Sequence, residues 1–450
     1  MRFFTDRRPL RVAVVGFGHV GACLGVTLAG RGMTVTGIDT DAALVAELRA
    51  GRCRLREPGL AEVLAALRDS PRLRLSTGYG AVADADVVVL TVGTPLGDAG
   101  AVVADHLEQS CRALAPRLRA GQLVVVKSTV PPGTTRRVLA PLLEGGGLRQ
   151  GRDFGLAYCP ERLAEGTALR DLRELPVVVG GLDADSAAAA VAFWKEALDV
   201  PVHVVPDAET AEIVKLATNW WIDVNIAVAN ELARFCAAYD TDVLEVVGAA
   251  NALPKGTGRV NLLLPGVGVG GSCLTKDPWI AWRAADAHGV ELETVATARR
   301  VNDAMPARCG ALIAAELARL GSDPAASTVA VLGLAYKNDT GDLRHTPVRG
   351  VVDTLRSAGA AIRLHDPLAD PDEVRACFGQ RPVPTLDEAV TGADCVAVLA
   401  GHRQYRELDY VALRDRVAMP CLVFDGRLHL PPPTIADLLG LGYAYRGVGR

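Results

Sequence analysis

The segment 266–277 holds the side chains of this sequence that are best suited to covalent chemistry. Glycines occupy four of its first six positions, Cys273 follows them, and Lys276 and Asp277 come shortly after. Glycine lets a backbone approach a ligand closely, and a thiol beside a cation is readily held as a reactive thiolate. Most cysteines are instead small buried side chains. Taken alone, the segment is therefore either a reactive-thiol site or a glycine-rich turn.

Composition limits what kind of protein carries this segment. With 450 residues the chain is too long for one core, so we expect two or three domains. The 50% hydrophobic and 22% charged residues are typical of soluble globular proteins. Net charge is -4, and no basic run or aromatic-interleaved patch favours nucleic acid. No apolar run is long enough to span a bilayer.

Cysteine and histidine usage points to a reduced, metal-free protein. The ten cysteines show no CxxC and no regular spacing, which favours free thiols over a disulfide framework. The eight histidines show no metal-ligand spacing. Residues 1–10 contain no signal-peptide core with a cleavage site. We therefore expect a cytoplasmic protein with neither a metal nor a membrane as a partner.

A second candidate site follows the first strand pattern, at residues 11–15. The sequence Gly16-x-Gly18-x-x-Gly21 comes next, then a helical pattern to about residue 29 and a second strand pattern that ends at Asp39. The first glycine makes a tight turn, the second admits a pyrophosphate, and the third lets helix pack on strand. Asp39 would accept hydrogen bonds from a ribose diol and repel a 2′-phosphate. This order predicts NAD binding, and the alternative is an ordinary βα turn.

Further strand patterns complete a first α/β domain at 86–92, 122–126, 154–157, 176–180 and 200–205. Ligands of open α/β sheets bind beyond the carboxyl ends of strands. Hydroxyls at Thr94, Ser128 and Thr129 follow two such ends, which fits a cofactor cleft as well as plain helix caps. A third end leads into Glu161 and Glu165, which would share one face if the segment is helical.

Residues 207–239 have helical periodicity, and their core at 213–235 is apolar on nearly all sides. Such a helix is normally buried, so we expect it to join two domains and to pack against a second subunit. Lys215 and Asn219 lie one above the other at i and i+4. A lysine is costly in apolar surroundings without a task or a partner, and Asp223, in the same row, is a candidate partner.

The last third repeats the strand and helix alternation, with strand patterns at 327–332, 361–364, 395–399 and 421–424. Lys337, Arg344 and Arg427 follow strands, where they suit an anionic ligand or are simply surface charge. The predicted fold is α/β, with two Rossmann-like doubly wound domains joined by a long buried central helix. We place the boundaries at 1–206, 207–322 and 323–450. NAD together with a nucleophilic thiol suggests oxidation of an aldehyde through a thioester.

Taken in order, these blocks resemble the UDP-glucose/GDP-mannose dehydrogenase family along nearly the whole chain. The matching blocks are the GxGxxG, Thr94-Pro95, 128–131, Pro160-Glu161 with Glu165, Lys215 with Asn219, 270–277, and Tyr336-Lys337 with 342–344. The resemblance implies a four-electron oxidation, in which the C6 alcohol of a nucleotide-linked hexose becomes a carboxylate while NAD⁺ is reduced twice. A homodimer or higher homo-oligomer is also implied, because Arg259 matches an arginine that reaches the neighbouring subunit's substrate.

The resemblance also implies a role for each matching residue. Cys273 would be the nucleophile that attacks the C6 aldehyde, and Glu161 the base for water in thioester hydrolysis. Lys215 and Asn219 would stabilise the developing alkoxide or oxyanion, and Asp277 would hold a water near Lys215. Positioning of water and nicotinamide would fall to Thr129 and Glu165.

Binding residues carried over from the family form two sets. The set implied for NAD is Gly16, Phe17, Gly18, His19, Val20, Gly21, Asp39, Thr94, Pro95, Ser128, Thr129, Glu165, Lys276 and Arg344. The set implied for the nucleoside-diphosphate sugar is Glu161, Arg162, Leu163, Lys215, Asn219, Arg259, Leu264, Gly266, Gly268, Gly270, Tyr336, Lys337 and Arg427. No metal ligand is implied.

The residues around the cysteine bear on the substrate. Ser272, with Lys276 and Asp277, is typical of the glucose branch, so UDP- or TDP-glucose is the expected substrate. The segments 160–162 and 301–306 look more like the N-acetylhexosamine branch, so a UDP-N-acetylhexosamine 6-dehydrogenase is the first alternative. Other readings are a two-electron alcohol dehydrogenase that uses Lys215 and Asn219, and a non-catalytic nucleotide-sugar sensor. The base of the nucleotide stays open.

Overall fold

The computed structural model describes residues 3, 9–95, 97, 104–256, 258–427 and 430–450. Most of the N-terminal stretch on which the absence of a signal peptide was predicted lies outside these ranges. Contacts divide the chain into two compact units. One comprises Met1–Thr218 with Trp279–Glu291, and the other Asn219–Pro278 with Leu292–Arg450. Each unit contains an α/β sheet, so the predicted fold class is confirmed.

The first unit is built on eight strands in the order β3-β2-β1-β4-β5-β6-β7-β8. The strands are Arg11–Val15 (β1), Thr34–Ile38 (β2), Leu73–Ser76 (β3), Val87–Leu90 (β4), Leu123–Val126 (β5), Gly155–Tyr158 (β6), Val177–Gly181 (β7) and Val202–Val204 (β8). All pairings are parallel except that of β6 with β7. Strand order reverses around β1, and the crevice at such a reversal is where a dinucleotide binds.

The helices of this unit cover both faces of the sheet, which is why β4 and β5 are continuous buried runs of valine and leucine. They are His19–Gly30 (α1), Ala42–Arg49 (α2), Leu60–Leu67 (α3), Asp105–Leu114 (α4), Ala140–Glu144 (α5), Ala168–Glu174 (α6) and Ala184–Leu198 (α7). The long helix Ala208–Ala237 (α8) begins in this unit and continues into the second.

The second unit has an all-parallel sheet of five strands in the order β12-β11-β13-β14-β15. Its strands are Thr328–Leu332 (β11), Ala361–His365 (β12), Cys395–Val398 (β13), Leu422–Asp425 (β14) and Ala444–Gly447 (β15), and a short hairpin pairs Pro254–Lys255 (β9) with Gly258–Arg259 (β10). Its helices are Val243–Asn251 (α9), Asp277–Asp286 (α10), Glu293–Arg319 (α11), Val348–Ser357 (α12), Pro371–Phe378 (α13), Leu386–Val390 (α14), Arg403–Arg406 (α15), Tyr410–Arg414 (α16) and Pro432–Gly440 (α17). Of these, α10 begins in the second unit and continues into the first.

Helix α8 is present as predicted, but its burial on all sides is not. Trp221, Val228 and Phe235 are 49%, 44% and 62% exposed and recur every seven residues, so they form one stripe of the helix, called here the exposed stripe. The polar residue Asp223 is buried instead and pairs with Arg299 at 2.7 Å. The sequence named Asp223 as a candidate partner of Lys215, and that pairing stays a prediction, whereas the pair with Arg299 was not foreseen. The charge of Asp223 is compensated by an arginine on α11.

In the described ranges, no helix combines the length and the apolar character needed to cross a membrane.

Candidate functional site

Each glycine of the loop after β1 has the surroundings that its predicted role requires. Gly16 has φ +85°, and a Cβ there would lie 2.9 Å from the backbone of Thr91. A Cβ on Gly21 would lie 2.0 Å from the Gly16 carbonyl oxygen, which makes this the close contact of helix with strand. Gly18 faces open space, with nothing within 4 Å of its Cβ position. The loop thus leaves room for a ligand at its second glycine.

Asp39, at the end of β2, holds this loop in place. Its carboxylate accepts hydrogen bonds from the backbone N–H of Phe17 at 2.7 Å and of Asp41 at 2.9 Å. The ring of Phe17 is buried against Gly25 and Gly37. Phe17 therefore supports the loop from below, and only its backbone is available on the ligand side.

A cleft of about 550 Å³ opens at this loop, and its lining includes Gly18, Asp39, Thr91 and Pro95. Its volume lies in the usual range for small-molecule sites. Nearby strand ends add hydroxyls. Thr94 donates to the Thr129 carbonyl at 2.7 Å, and the Ser128 hydroxyl is buried with no hydrogen-bond partner within the described residues. The open second glycine and this unsatisfied hydroxyl fit a bound dinucleotide.

Glu57 is a member of this region that the sequence did not single out. It is buried and accepts hydrogen bonds from His19 at 2.9 Å and from the backbone N–H groups of Gly166 and Ala168 at 2.7 Å. It therefore ties the glycine loop to the segment that follows Glu161. The sequence offers no local signal for this role, because the contacts to Gly166 and Ala168 span more than a hundred residues.

Glu161 lies on irregular backbone, so it does not share a helix face with Glu165. The segment 159–164 has no regular structure, and α6 begins only at Ala168. The Glu161 carboxylate accepts a hydrogen bond from the Leu163 N–H, and such local bonds compete with helix formation. Gly166 has φ +84°, which also interrupts a right-handed helix. Arg162 donates to the Pro176 carbonyl at 3.4 Å.

The two predicted oxyanion residues on α8 are both buried. Lys215, on the first-unit part of the helix, and Asn219, on the second-unit part, are each 8% exposed. The Asn219 amide donates to the Asp277 carboxylate, which is 1% exposed and lies 3.4 Å from the Lys276 ammonium. The structure therefore joins Asn219, Lys276 and Asp277 through polar contacts in the second unit.

Cys273 differs from the other cysteines in its exposure. It is exposed, whereas the remaining nine are buried or partly buried. Burial raises the pKa of Cys159 to about 11 and that of Cys309 to about 12, so these thiols are inert near neutrality. The Cys273 carbonyl accepts the N–H groups of Lys276 at 3.0 Å and Asp277 at 2.8 Å. This turn presents the thiol next to the start of α10.

The glycines before Cys273 pack on the segment after β11. A Cβ on Gly270 would lie 2.6 Å from both the His345 carbonyl oxygen and the Tyr336 Cβ, and one on Gly271 would lie 2.8 Å from the Tyr336 ring. The Gly271 N–H also donates to the Arg344 carbonyl at 3.0 Å. Several residues predicted for the sugar nucleotide therefore come together in one unit.

Arg427 belongs to the same cluster. Its guanidinium donates to the carbonyls of Leu399 at 2.8 Å and Tyr336 at 2.7 Å, and one of its nitrogens lies near Gly266. Burial lowers the pKa of Arg427 to about 10, which leaves it a cation at neutral pH. The arrangement suits an anionic group such as a diphosphate.

Three further predicted residues, Arg344, Arg259 and Leu264, belong to this unit. Arg344 forms a two-pronged ion pair with Asp342, at 3.0 and 2.8 Å from its Nε. Arg259 is exposed on the β9–β10 hairpin, and Leu264 is 53% exposed.

The first unit provides a cleft that suits a dinucleotide. It also provides the Glu161 carboxylate, which accepts a hydrogen bond from the Leu163 backbone N–H. The second offers an accessible thiol and a cation, Arg427, fixed beside a glycine loop. A nucleophile, a hydride-acceptor site and an anion site suit oxidation of a phosphorylated alcohol or aldehyde.

Comparison with known proteins accounts for most of the chain. Three models of the UDP-glucose/GDP-mannose dehydrogenase family match it. The NAD binding domain matches residues 10–198, the central domain 209–304 and the UDP binding domain 330–432. A UDP-N-acetyl-D-mannosamine dehydrogenase of Pyrococcus horikoshii is 31% identical over 443 residues, covering 98% of this chain and 99% of the relative.

Two solved structures are similar to this chain along almost its whole length. The UDP-D-ManNAc dehydrogenase of Pyrococcus horikoshii superimposes with a TM-score of 0.87 at 30% identity, covering 98% of this chain and 99% of that one. A UDP-glucose dehydrogenase of Pyrobaculum islandicum gives a TM-score of 0.85 at 32% identity, covering 99% of each chain.

Proposed function

The chain belongs to the UDP-glucose/GDP-mannose dehydrogenase family, and we propose that it oxidises C6 of UDP-N-acetyl-D-mannosamine, or a closely related UDP-N-acetylhexosamine, to the uronic acid. The observation that carries the reaction class is the exposed Cys273 on a glycine loop packed against Tyr336, in a chain whose other thiols are buried or partly buried. The substrate rests on the names of the relatives and on the segments 160–162 and 301–306, which look like that branch.

UDP-glucose is the second candidate. Ser272, Lys276 and Asp277 favoured it in the sequence, and a UDP-glucose dehydrogenase is among the similar solved structures. A curated relative named UDP-N-acetyl-D-mannosamine dehydrogenase covers 98% of the chain, and the solved structure with that activity in its name has a TM-score of 0.87 against 0.85 for the UDP-glucose dehydrogenase. We therefore rank the N-acetylhexosamine first, which reverses the expectation drawn from the residues around the cysteine.

In this proposal the chain's own residues act in a defined order. NAD⁺, held at Gly16, Gly18 and Asp39 with the Ser128 hydroxyl nearby, supplies the hydride acceptor when bound. The C6 alcohol loses a proton from its oxygen and a hydride from its carbon to become the aldehyde, and Lys215 and Asn219 stabilise the negative charge that develops on the C6 oxygen.

The covalent steps belong to two further residues. The Cys273 thiolate adds to the C6 aldehyde, whose oxygen takes up a proton to give a thiohemiacetal, and loss of that proton and of a hydride from C6 leaves a thioester. Glu161 then takes a proton from water, the water oxygen attacks the thioester carbon, and the carbon–sulfur bond breaks. Cys273 leaves as a thiolate, and the new carboxylic acid gives its remaining proton to solvent and leaves as a carboxylate.

The test is an NADH assay with a panel of nucleotide sugars: UDP-N-acetyl-D-mannosamine, UDP-N-acetylglucosamine, UDP-glucose and TDP-glucose. We expect about two NADH per UDP-N-acetyl-D-mannosamine consumed, because both oxidations end on the cofactor. Cys273→Ser should abolish acid formation, and Cys377→Ser, a partly buried thiol of the same unit, should retain it.

Several results would contradict the proposal. Full acid formation by Cys273→Ser would show that the reaction does not pass through a Cys273 thioester. One NADH per sugar with an aldehyde product would select a two-electron dehydrogenase, and tight binding without reduction would select a sensor. Faster turnover of UDP-glucose would select the second candidate.

We also propose that the chain works as a homodimer, with the exposed stripe of α8 as part of the contact. Three large apolar side chains on one helix face are unusual at a free surface. Light scattering of Trp221→Glu, which places a charge in the stripe, should show a smaller particle than the parent protein. An unchanged mass would show that the exposed stripe is not part of the subunit contact.

A further inference from the structure

A buried lysine, Lys127, is not used by the mechanism above. It follows β5 directly and precedes Ser128 and Thr129 in the cofactor region. Its side chain is buried, with only 5% of the residue exposed. The ammonium nitrogen lies 3.4 Å from the carbonyl oxygens of both Cys159 and Pro160 and 5.0 Å from the centre of the Trp194 ring. Two carbonyl dipoles and a ring face therefore surround the charge.

These surroundings make the lysine costly for folding. Carbonyls at 3.4 Å and an aromatic face are neutral partners, and they compensate a buried charge less well than a close carboxylate. Burial lowers the pKa of the Lys127 ammonium. The Glu161 carboxylate acts against that shift, and the nearby Lys215 charge adds to it. An apolar side chain of similar length would fill the space at lower cost, so the cation has another task.

The task is visible in what the ammonium contacts. Cys159 and Pro160 directly precede Glu161, on the irregular segment that neither a helix nor a strand fixes. On the other side, the Leu163 N–H binds the Glu161 carboxylate. The backbone before Glu161 is therefore held by Lys127 and its carboxylate by the backbone after it.

We propose that Lys127 is a positioning residue for thioester hydrolysis, which fixes the Cys159–Pro160 backbone so that Glu161 is oriented toward the attacking water. The inference rests on the proposed function, in which Glu161 accepts the proton of that water and Cys273 leaves the acyl carbon. Lys127 touches neither the water nor the thioester. Because it acts through Glu161, its loss slows the hydrolysis step and leaves the two oxidations intact.

The experiment is rapid-mixing kinetics of Lys127→Met with the sugar that the parent enzyme turns over best. We expect an early burst of NADH at the parent rate, followed by steady turnover about 100-fold slower, the order of loss that a misplacement near 1 Å produces. Intact-protein mass spectrometry should show the uronyl adduct on the variant. Glu161→Gln should behave in the same way.

Two controls separate this role from general damage. Lys195→Met makes the same change at an exposed lysine of α7 and should leave burst and turnover at parent values. Lys127→Gln retains a donor for the carbonyls, so it should recover part of the turnover. If Lys127→Met does not fold, Lys127→Gln takes its place in the experiment. Accumulation of the uronyl adduct on Lys127→Gln is then the supporting result.

The outcomes distinguish the inference from the proposed function. If the parent enzyme produces NADH and acid but a folded Lys127 variant loses burst and turnover equally, or accumulates no adduct, the positioning role is overturned. If the parent enzyme itself reduces no NAD⁺ with any sugar of the panel, the proposed function fails and the inference falls with it.

Discussion

The two glycine-rich loops of this chain, residues 16–21 and 266–271, use the same residue type for different purposes. The first loop leaves space at its second glycine, since nothing lies within 4 Å of a Cβ on Gly18. The second is filled by protein, since Cβ atoms on Gly270 and Gly271 would meet Tyr336 at 2.6 and 2.8 Å. Glycine spacing alone therefore does not separate a ligand cradle from a packing contact. The difference lies in what occupies the position of the missing side chain.

The largest effect should come from Gly21, where the first turn of α1 lies against the Gly16 carbonyl and the Thr91 hydroxyl. An alanine at Gly21 would place Cβ 2.0 Å from the Gly16 carbonyl oxygen and 2.8 Å from the Thr91 hydroxyl. Backbone cannot move as a flexible side chain can, so we expect Gly21→Ala to lower the free energy of unfolding by about 3 kcal/mol or more. Urea denaturation without cofactor measures it.

Gly30→Ala, at the end of the same helix, is the matched control. Nothing lies within 4 Å of a Cβ on Gly30, so its stability should match or slightly exceed that of the parent. Equal stability of the two variants would mean that α1 does not approach Gly16 and Thr91 as closely as the structure has it.

A smaller loss of stability is expected in the second loop. In Gly270→Ala the new Cβ would meet the His345 carbonyl, the Tyr336 Cβ and Pro347 at 2.6 to 2.9 Å. Overpacking of this kind costs about 1–3 kcal/mol, and it displaces the turn that carries Cys273. We expect a lower kcat with an unchanged Kd for NAD⁺, measured by steady-state assays and by cofactor titration.

Its control is Gly248→Ala, in the open on helix α9, which should keep full activity. A Gly270→Ala protein with normal kcat would show that the packing of this loop on Tyr336 does not position the thiol.

Much of the fold is predictable because its signals are local. Runs such as β4 and β5 are continuously apolar between breaks, so a single sequence identifies them. The strands β3 and β15 were not predicted. Both are short edge strands with an arginine among four residues, and their strand state depends on the neighbour with which they pair.

The site is less predictable, because its support comes from distant residues. The motifs identify Cys273, but its exposure among ten cysteines is a property of the fold. Asp223 was named as a candidate partner of the lysine in its own row, whereas Arg299, with which it pairs, is 76 residues away. No sequence motif indicates the role of Lys127, because its contacts with the Cys159 and Pro160 carbonyls span 32 and 33 residues. Local periodicity contains no information on such pairs.

Gly18→Ala should have the smallest effect on stability, and it tests the comparison of the two glycine-rich loops most directly. Its φ is −71° and its Cβ would enter open space, so the free energy of unfolding should stay within about 0.5 kcal/mol of the parent value. The same methyl group would occupy the space in which we propose that the pyrophosphate binds. We expect the Kd for NAD⁺ to rise at least about tenfold, equivalent to 1.4 kcal/mol, by fluorescence titration.

Gly18→Ala thus changes binding without stability, and Gly21→Ala changes stability first. An unchanged Kd in a stable Gly18→Ala protein would show that the open side of this loop does not receive the cofactor.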